Sequence, residues 1–360
     1  MKIVPVILAG GIGERFWPLS RASMPKQLLK LVSSKTMAEE TLARVAAFCS
    51  KGVKPLIITN KTIAASMKAL LPKKWKYDMI VEPVGRNTAP PVALAASWIE
   101  KKYGESVMVV LSADHDIRPK EEFTAAMKFA VTLAEKTQNL IVFGVKPSRP
   151  DTGYGYIKLG KKLDEKNGVS GYVVKDFVEK PNEKSAKKYV ASGTYMWNSG
   201  MFVWTTKVIL EEFAAYMPDL YKQVKAAEKQ KFSPKAIDTF YKTCVKESID
   251  FGIMEHTKRV CATVGNFGWD DIGSWESIPR LNGTDDFGTT VTGELIYSKD
   301  TAKSIVVNRS KLTVAAVGLE NVALIVTDDA ILAIDRSKLP DLKKYLNEIK
   351  GNKKYSSKLF

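Results

Sequence analysis

Histidine is almost missing from this 360-residue chain, which has only His115 and His256. Two isolated histidines leave no Ser/His/Asp or Cys/His arrangement in view, so nucleophilic catalysis of the hydrolase type has nothing to stand on. Cysteine is equally scarce. Cys49, Cys244 and Cys261 are odd in number and scattered, without metal-ligand spacing. That pattern excludes a disulfide framework and fits buried thiols in a reducing cytoplasm, the expected location. Long apolar runs are absent too. Residues 3–9 are far too short for a membrane span, and they lack the basic leader of a signal peptide. They read as a buried first strand.

Acid is the remaining deficit: 39 Asp and Glu stand against 55 Lys and Arg, a net charge of +16. The lysines are spread through the chain, as at Lys161-Lys162, Lys187-Lys188 and Lys343-Lys344, mostly beside glutamates and apolar helix positions. No zinc finger, RNP motif or heptad-linked basic region accompanies them, so no nucleic-acid partner and no membrane are expected. A solvated basic surface of this kind raises the local concentration of anionic small substrates.

What is present is an alternation of apolar strands and amphipathic helices. Strands are expected at residues 3–9, 54–59, 78–81, 106–111 and 140–145, with helices at 36–49, 63–71, 89–102 and 120–135 between them. Thr36 and Glu39 stand in capping-box spacing, and Pro90 and Pro91 suit a first helical turn. Alternation of this kind predicts an α/β fold with three layers and a mixed, mainly parallel sheet. After Pro147 the texture becomes hairpin-like, at residues 153–159 and 172–179. Helices at 207–216 and 235–247 and a strand at 259–264 follow. From about residue 286, short β runs recur every eight to ten residues, at 295–297, 304–307, 312–316, 322–326 and 331–334. That spacing predicts a small sandwich or a coiled solenoid. A helix at 339–349 and a loose polar tail at 351–360 close the chain. The expected division is a domain of residues 1–285 and a β-rich segment of 286–360.

Ligands of open α/β sheets bind outside the carboxyl ends of strands, and four informative stretches fall there. AGGIGERFWPLSRASMPKQ places Gly10, Gly11 and Gly13 after the first strand, with Arg15 and Lys26 beyond. Phe16 occupies the last glycine position of a G-x-G-x-x-G fingerprint, and no G-K-S/T follows, so neither common phosphate loop is matched. The stretch is a different phosphate cradle or a tight turn with incidental cations. LSADHD sets Asp114 after a buried strand, where a carboxylate serves Mg²⁺ or caps a turn. EPVGRNTAPP puts Glu82 at a strand end and Asn87 and Thr88 at a helix start, for reading a base edge or for capping. GWDDIGSW carries Asp270 and Asp271, a second metal ligand or a plain turn signal.

Taken together with GYGYI, FVEKP, WNSGMF and SIDFGIME, these stretches resemble the sugar-1-phosphate nucleotidyltransferase family, specifically its mannose-1-phosphate guanylyltransferase branch. The likeness runs in that family's order over essentially residues 1–350. It implies a Rossmann-like nucleotidyltransferase domain followed by a small left-handed β-helix that often takes part in dimer contacts, hence a homodimer. It implies GTP and mannose 1-phosphate as substrates, GDP-mannose and pyrophosphate as products, and Mg²⁺ as cofactor. Gly10, Gly11 and Gly13 would wrap the nucleotide, Arg15 and Lys26 would act on the triphosphate, and Glu82, Asn87 and Thr88 would join the nucleotide site. Asp114 and Asp271 would hold Mg²⁺. Gly155, Glu179, Lys180 and Asn198 would take the sugar phosphate, with Glu179 on hydroxyls and Lys180 on the phosphate. With two histidines and no length after the β-rich segment, the cupin-like phosphomannose isomerase domain of many bacterial relatives is expected to be absent. The alternatives are another sugar 1-phosphate, such as glucose 1-phosphate, or a catalytically silent nucleotide-sugar-binding subunit.

Overall fold

The structure is a computed structural model that describes residues 1–11 and 13–352. The expected loose tail therefore lies, apart from its first two residues, outside the described residues.

The first half of the chain alternates as the sequence predicts. It runs β1 (Lys2–Ala9), α1 (Met37–Val45), β2 (Leu56–Asn60), α2 (Lys61–Leu70), β3 (Asp78–Glu82), α3 (Ala89–Tyr103), β4 (Ser106–Ser112), β5 (Asp116–Arg118), α4 (Lys120–Thr137) and β6 (Leu140–Val145). The hairpin β7 (Gly155–Lys166) and β8 (Val169–Val178) follows, then α5 (Glu183–Ser192), β9 (Tyr195–Thr205), α6 (Thr206–Tyr216), α7 (Pro218–Lys229), α8 (Pro234–Thr243), β10 (Val260–Val264), β11 (Gly268–Asp270) and α9 (Ile278–Asn282).

Nine strands make one mixed sheet in the order β3-β2-β1-β4-β9-β6-β10-β8-β7. Its β3-β2-β1-β4 half is entirely parallel, and antiparallel pairing begins where β9 inserts beside β4. Parallel strands are covered on both faces, so their side chains sort by parity rather than by polarity. Val4 and Val6 of β1 join one apolar core with α3, α6 and α7, whereas Ile7 and Ala9 join the other with α1, α2 and α4. The expected three layers result.

α1 starts with a complete capping box, Thr36 accepting from the Glu39 amide while Glu39 reaches back to the Thr36 amide. Thr88 stands at the N-cap of α3 but makes no side-chain cap bond there; its Oγ1 accepts from the Ile249 amide at 2.9 Å. Several elements escaped the sequence pattern: α5, α7 and, most consequentially, β9. A bulge in the β6–β9 register and a left-handed Gly200 (φ 68°) interrupt the period-2 signal of β9. The helix expected at 235–247 ends early, at Thr243.

The C-terminal β runs form a coil. β12 (Thr290–Gly293), β14 (Ile305–Asn308) and β16 (Val322–Val326) stack in parallel, as do β13 (Ile296–Lys299) and β15 (Val314–Val317), while β17 (Ile331–Asp335) turns back antiparallel on β16. Gly293, at φ 116°, ends β12 where a Cβ would strike the Asn308 backbone, so only glycine fits. The closing α10 (Leu342–Gly351) begins three residues later than expected, after a 3₁₀ segment, Arg336–Asp341. A third apolar core joins this coil to the glycine loop: Phe16, Trp17 and Met37 pack with Trp275, Ile305, Ile325, Leu342 and Leu346.

Candidate functional site

Strands β1, β2, β3 and β4 end side by side, and the loops leaving them enclose a cleft of about 940 Å³. Gly10, Gly11, Gly13, Arg15, Lys26, Glu82, Asn87, Thr88, Asp114 and Asp271 all line it.

The glycine loop is held through its carbonyls. Asn60 Nδ2 donates to Gly10 O at 3.2 Å, Gln27 Nε2 to Gly11 O at 2.7 Å, and Ser20 Oγ to Gly13 O at 2.6 Å. With these acceptors engaged by side-chain donors, their negative dipole ends are partly offset, which suits an anion. Gly13 has φ 77°, and a Cβ there would collide with Lys26 Cβ. Its glycine is therefore needed twice, for conformation and for space.

Lys26 is the hub of the floor. It is 5 % exposed, and its Nζ donates to Asp114 Oδ2 and to the Asp271 carbonyl, each at 2.8 Å. Burial works to raise the Asp114 carboxyl, but Lys26, His115 and the Ser112 hydroxyl outweigh it and hold the group at about 2, so it is ionised. Asp271 Oδ1 accepts from the Tyr154 hydroxyl at 2.6 Å. Burial and that carboxylate push the Tyr154 hydroxyl far up, keeping it a donor. The two neighbouring acids part company. Asp270, at the end of β11, takes a two-point bond from Arg280, at 2.6 and 3.0 Å, and is structural. Only Asp271 turns into the cleft. His115 is kept neutral chiefly by burial, and its Nδ1 accepts from Trp269 Nε1 at 3.1 Å.

Gly155, Glu179, Lys180 and Asn198 form a second cluster that does not line the same cavity. A Cβ on Gly155 would overlap Glu179 Oε2, so these residues touch. Lys180 Nζ donates to Glu179 Oε1 at 2.7 Å. The link to the cleft is Asp250, within SIDFGIME, to which the sequence alone assigns no role. Asp250 lines the cleft, and its Oδ1 accepts from Asn198 Nδ2 at 2.9 Å. Burial and the Glu179 carboxylate raise it to about 7. Asp250 thus connects the cleft to the second cluster.

The cleft lining also includes the apolar Ile58, Pro91 and Val92 together with Glu82. Glu82 is 6 % exposed; its Oε1 and the adjacent Tyr241 hydroxyl are both buried without a partner of good geometry. Burial lifts the Glu82 carboxyl to about 7 despite the nearby Tyr241 hydroxyl. The two groups lie against each other, and of the pair only Glu82 lines the cleft. No group of three or more His, Cys, Asp or Glu suited to a metal occurs among the described residues. Nor is any of their helices long and apolar enough to cross a membrane.

Comparison with known proteins shows the family. The family model described as nucleotidyl transferase matches residues 4–286. The chain is 35 % identical over 365 residues to a mannose-1-phosphate guanylyltransferase of Escherichia coli, covering 98 % of this chain and 77 % of that protein. It is 37 % identical over 358 residues to a putative mannose-1-phosphate guanylyltransferase of Vibrio cholerae, covering 97 % and 74 %. Among solved structures, it is similar to one from Thermus thermophilus described as a mannose-1-phosphate geranyltransferase. The TM-score there is 0.85 at 29 % identity, over 97 % of this chain and 100 % of the other.

Proposed function

The chain belongs to the nucleotidyl transferase family, and from that premise we propose that it transfers GMP from GTP to α-D-mannose 1-phosphate, giving GDP-mannose and pyrophosphate. The observation that carries this reading is the meeting of Lys26 with Asp114 and Asp271 beside the glycine loop, in a cleft that Asp250 joins to the polar cluster of Glu179, Lys180 and Asn198. A phosphate oxygen of mannose 1-phosphate attacks the α-phosphorus in line. The new P–O bond forms as the bond to the β-phosphate oxygen breaks, and its electrons leave with pyrophosphate. No covalent enzyme intermediate is needed, and the work is positioning and charge neutralisation.

In this scheme Gly10, Gly11 and Gly13 let the backbone lie close to the triphosphate, and Arg15 at the exposed rim and Lys26 on the floor offset its charge. Glu179 would accept from sugar hydroxyls, and Lys180, now on Glu179, is within reach to turn to the sugar phosphate. Gly155 leaves room for both Glu179 and Asn198 beside it, with Asn198 oriented by Asp250. Asn87 and Thr88 would border the base.

The oxygen donors Asp114 and Asp271 fit Mg²⁺, which takes one or two protein carboxylates and completes its shell with phosphate oxygens and water. Two carboxylates leave the remaining positions to substrate oxygens and water, as a site shared with the substrate requires. When bound there, the cation would neutralise phosphate charge and polarise the reacting centre. Lys26, bonded to both aspartates, holds them in place before the substrate arrives.

Guanine presents two adjacent donors, N1–H and N2–H, that an ionised carboxylate at Glu82 accepts. Because burial holds Glu82 at about 7, the accepting form is scarce at pH 6 and dominant at pH 8. The KM for GTP is therefore expected to fall about tenfold over that range. Glu82→Gln should raise the KM by about 10–100-fold at pH 8 and flatten the profile, as loss of charge-assisted bonds predicts. An unchanged pH profile in the variant would remove Glu82 from base recognition.

The catalytic unit is placed at residues 1–285, the enzyme in the cytoplasm, and the assembly as a homodimer. Leu295, Tyr297, Leu312 and Val317, all more than half exposed on and beside β13 and β15, support a self-contact through the C-terminal coil. Tyr297→Lys combined with Val317→Lys is expected to halve the mass seen by light scattering. A dimer that survives both changes would relocate the interface. The functional reading itself is tested by pyrophosphate release over a panel of nucleoside triphosphates and sugar 1-phosphates. GTP with mannose 1-phosphate should be the best pair; no activity with any pair would favour a silent binding subunit.

A further inference from the structure

The C-terminal helix reaches the cleft. α10 buries Leu342 and Leu346 in the core that also holds Phe16 and Trp17, so its position is fixed relative to the glycine loop. On its outer side, Lys343 lines the cleft along with Glu14 and Arg15. Its Nζ lies 3.2 Å from Glu14 Oε2, and Lys350 Nζ lies 2.7 Å from Glu14 Oε1. Glu14 is thus a carboxylate at the mouth of a proposed triphosphate site, flanked by two ammonium groups from an element more than 300 residues later in the chain.

A lone carboxylate there would repel phosphate. Two cations on one carboxylate reverse that sign, and only one is needed to keep Glu14 neutralised. The pairing holds the Glu14 carboxyl below the usual range, chiefly through Lys350 and against a burial effect that alone would raise it. Lys343 is the more exposed of the pair, at 64 % against 34 % for Lys350, so it can exchange partners at little desolvation cost.

We propose that Lys343 is a pyrophosphate-binding residue of the active site, carried by the C-terminal helix, with Glu14 holding its ammonium until phosphate takes over. The inference rests on the triphosphate reading of the glycine loop. On binding, the Lys343 ammonium moves from Glu14 to the β,γ-phosphate end of the nucleotide, while Lys350 stays on Glu14. The C-terminal segment thereby becomes a part of the substrate site and not only a packing partner.

The test compares Lys343→Ala, Lys343→Arg and Lys344→Ala in the full chain. Lys344 is the next residue of the same helix and does not line the cleft, so it controls for overall charge. Lys343→Ala should raise the KM for GTP and weaken pyrophosphate binding, read by calorimetry, about tenfold, with kcat and thermal midpoint little changed. Arginine at position 343 should restore both, and Lys344→Ala should change neither. Equal losses in the two alanine variants would reduce the effect to surface charge and overturn the proposal, as would an unaltered Lys343→Ala. A wild type that binds pyrophosphate but forms no GDP-mannose would defeat the functional reading, while the same titration would still decide the role of Lys343.

Discussion

Lys26→Met is expected to lower kcat by about 10²–10³-fold, the range seen when one preorganised transition-state charge contact is removed. Three observations set the size of this effect. The ammonium is nearly inaccessible to water, so its charge acts in a low-dielectric setting where it counts for more. It lies on the cleft floor between the glycine loop and the two candidate metal ligands. Gly13 packs closely against the base of the lysine stem, and two hydrogen bonds hold its head in place. Methionine preserves most of the stem and removes the charge.

The same change strips Asp114 of its main counter-charge. That carboxyl, held at about 2 by the pair, should move upward toward its ordinary range. The sign of the linkage follows. A carboxyl whose folded value is depressed contributes stability above its unfolded value and loses it as pH falls toward the folded value. The wild type should therefore lose this contribution between about pH 4 and 2. The variant should show less of that acid-dependent loss and a lower plateau at neutral pH. Melting curves across pH separate the two consequences: a variant that stays folded at neutral pH but turns over slowly assigns the charge to chemistry. A folded Lys26→Met enzyme with kcat near wild type would remove Lys26 from the reaction.

Asp271→Asn is expected to raise the Mg²⁺ concentration for half-maximal activity by at least about 10–100-fold. Loss of a mere outer-shell partner already costs that much in metal affinity. The amide keeps an acceptor for the Tyr154 hydroxyl and leaves the Asp271 carbonyl on Lys26 untouched, so the fold of the loop is preserved. Asp270→Asn is the internal control. It weakens the two-point bond to Arg280 and should lower the melting temperature without shifting the Mg²⁺ requirement. If Asp271→Asn titrates with Mg²⁺ as the wild type does, the metal assignment falls.

Much of this is legible in the amino-acid sequence alone. The parallel half of the sheet announces itself in unbroken apolar runs, and the Thr36–Glu39 box marks the start of α1. The glycine loop, Asp114 and Glu82 follow strands whose ends could be read directly, so their gathering in one cleft needed only the rule for open sheets. Asp250 was opaque for a physical reason: its partner Asn198 sits on β9, whose bulge and left-handed glycine erase strand periodicity. Asp270 and Asp271 look equivalent as letters, and only the direction of β11 separates an arginine-bound strut from a cleft residue. Lys343 is one lysine among many until the third apolar core seats α10 on the glycine loop.

The most direct measurement incubates the purified chain with GTP, mannose 1-phosphate and Mg²⁺ and quantifies both products. GDP-mannose and pyrophosphate are predicted to form in equal amounts, and both should vanish when either substrate is withheld. Pyrophosphate released without GDP-mannose, or no product from this pair, would contradict the assignment of the cleft to guanylyl transfer.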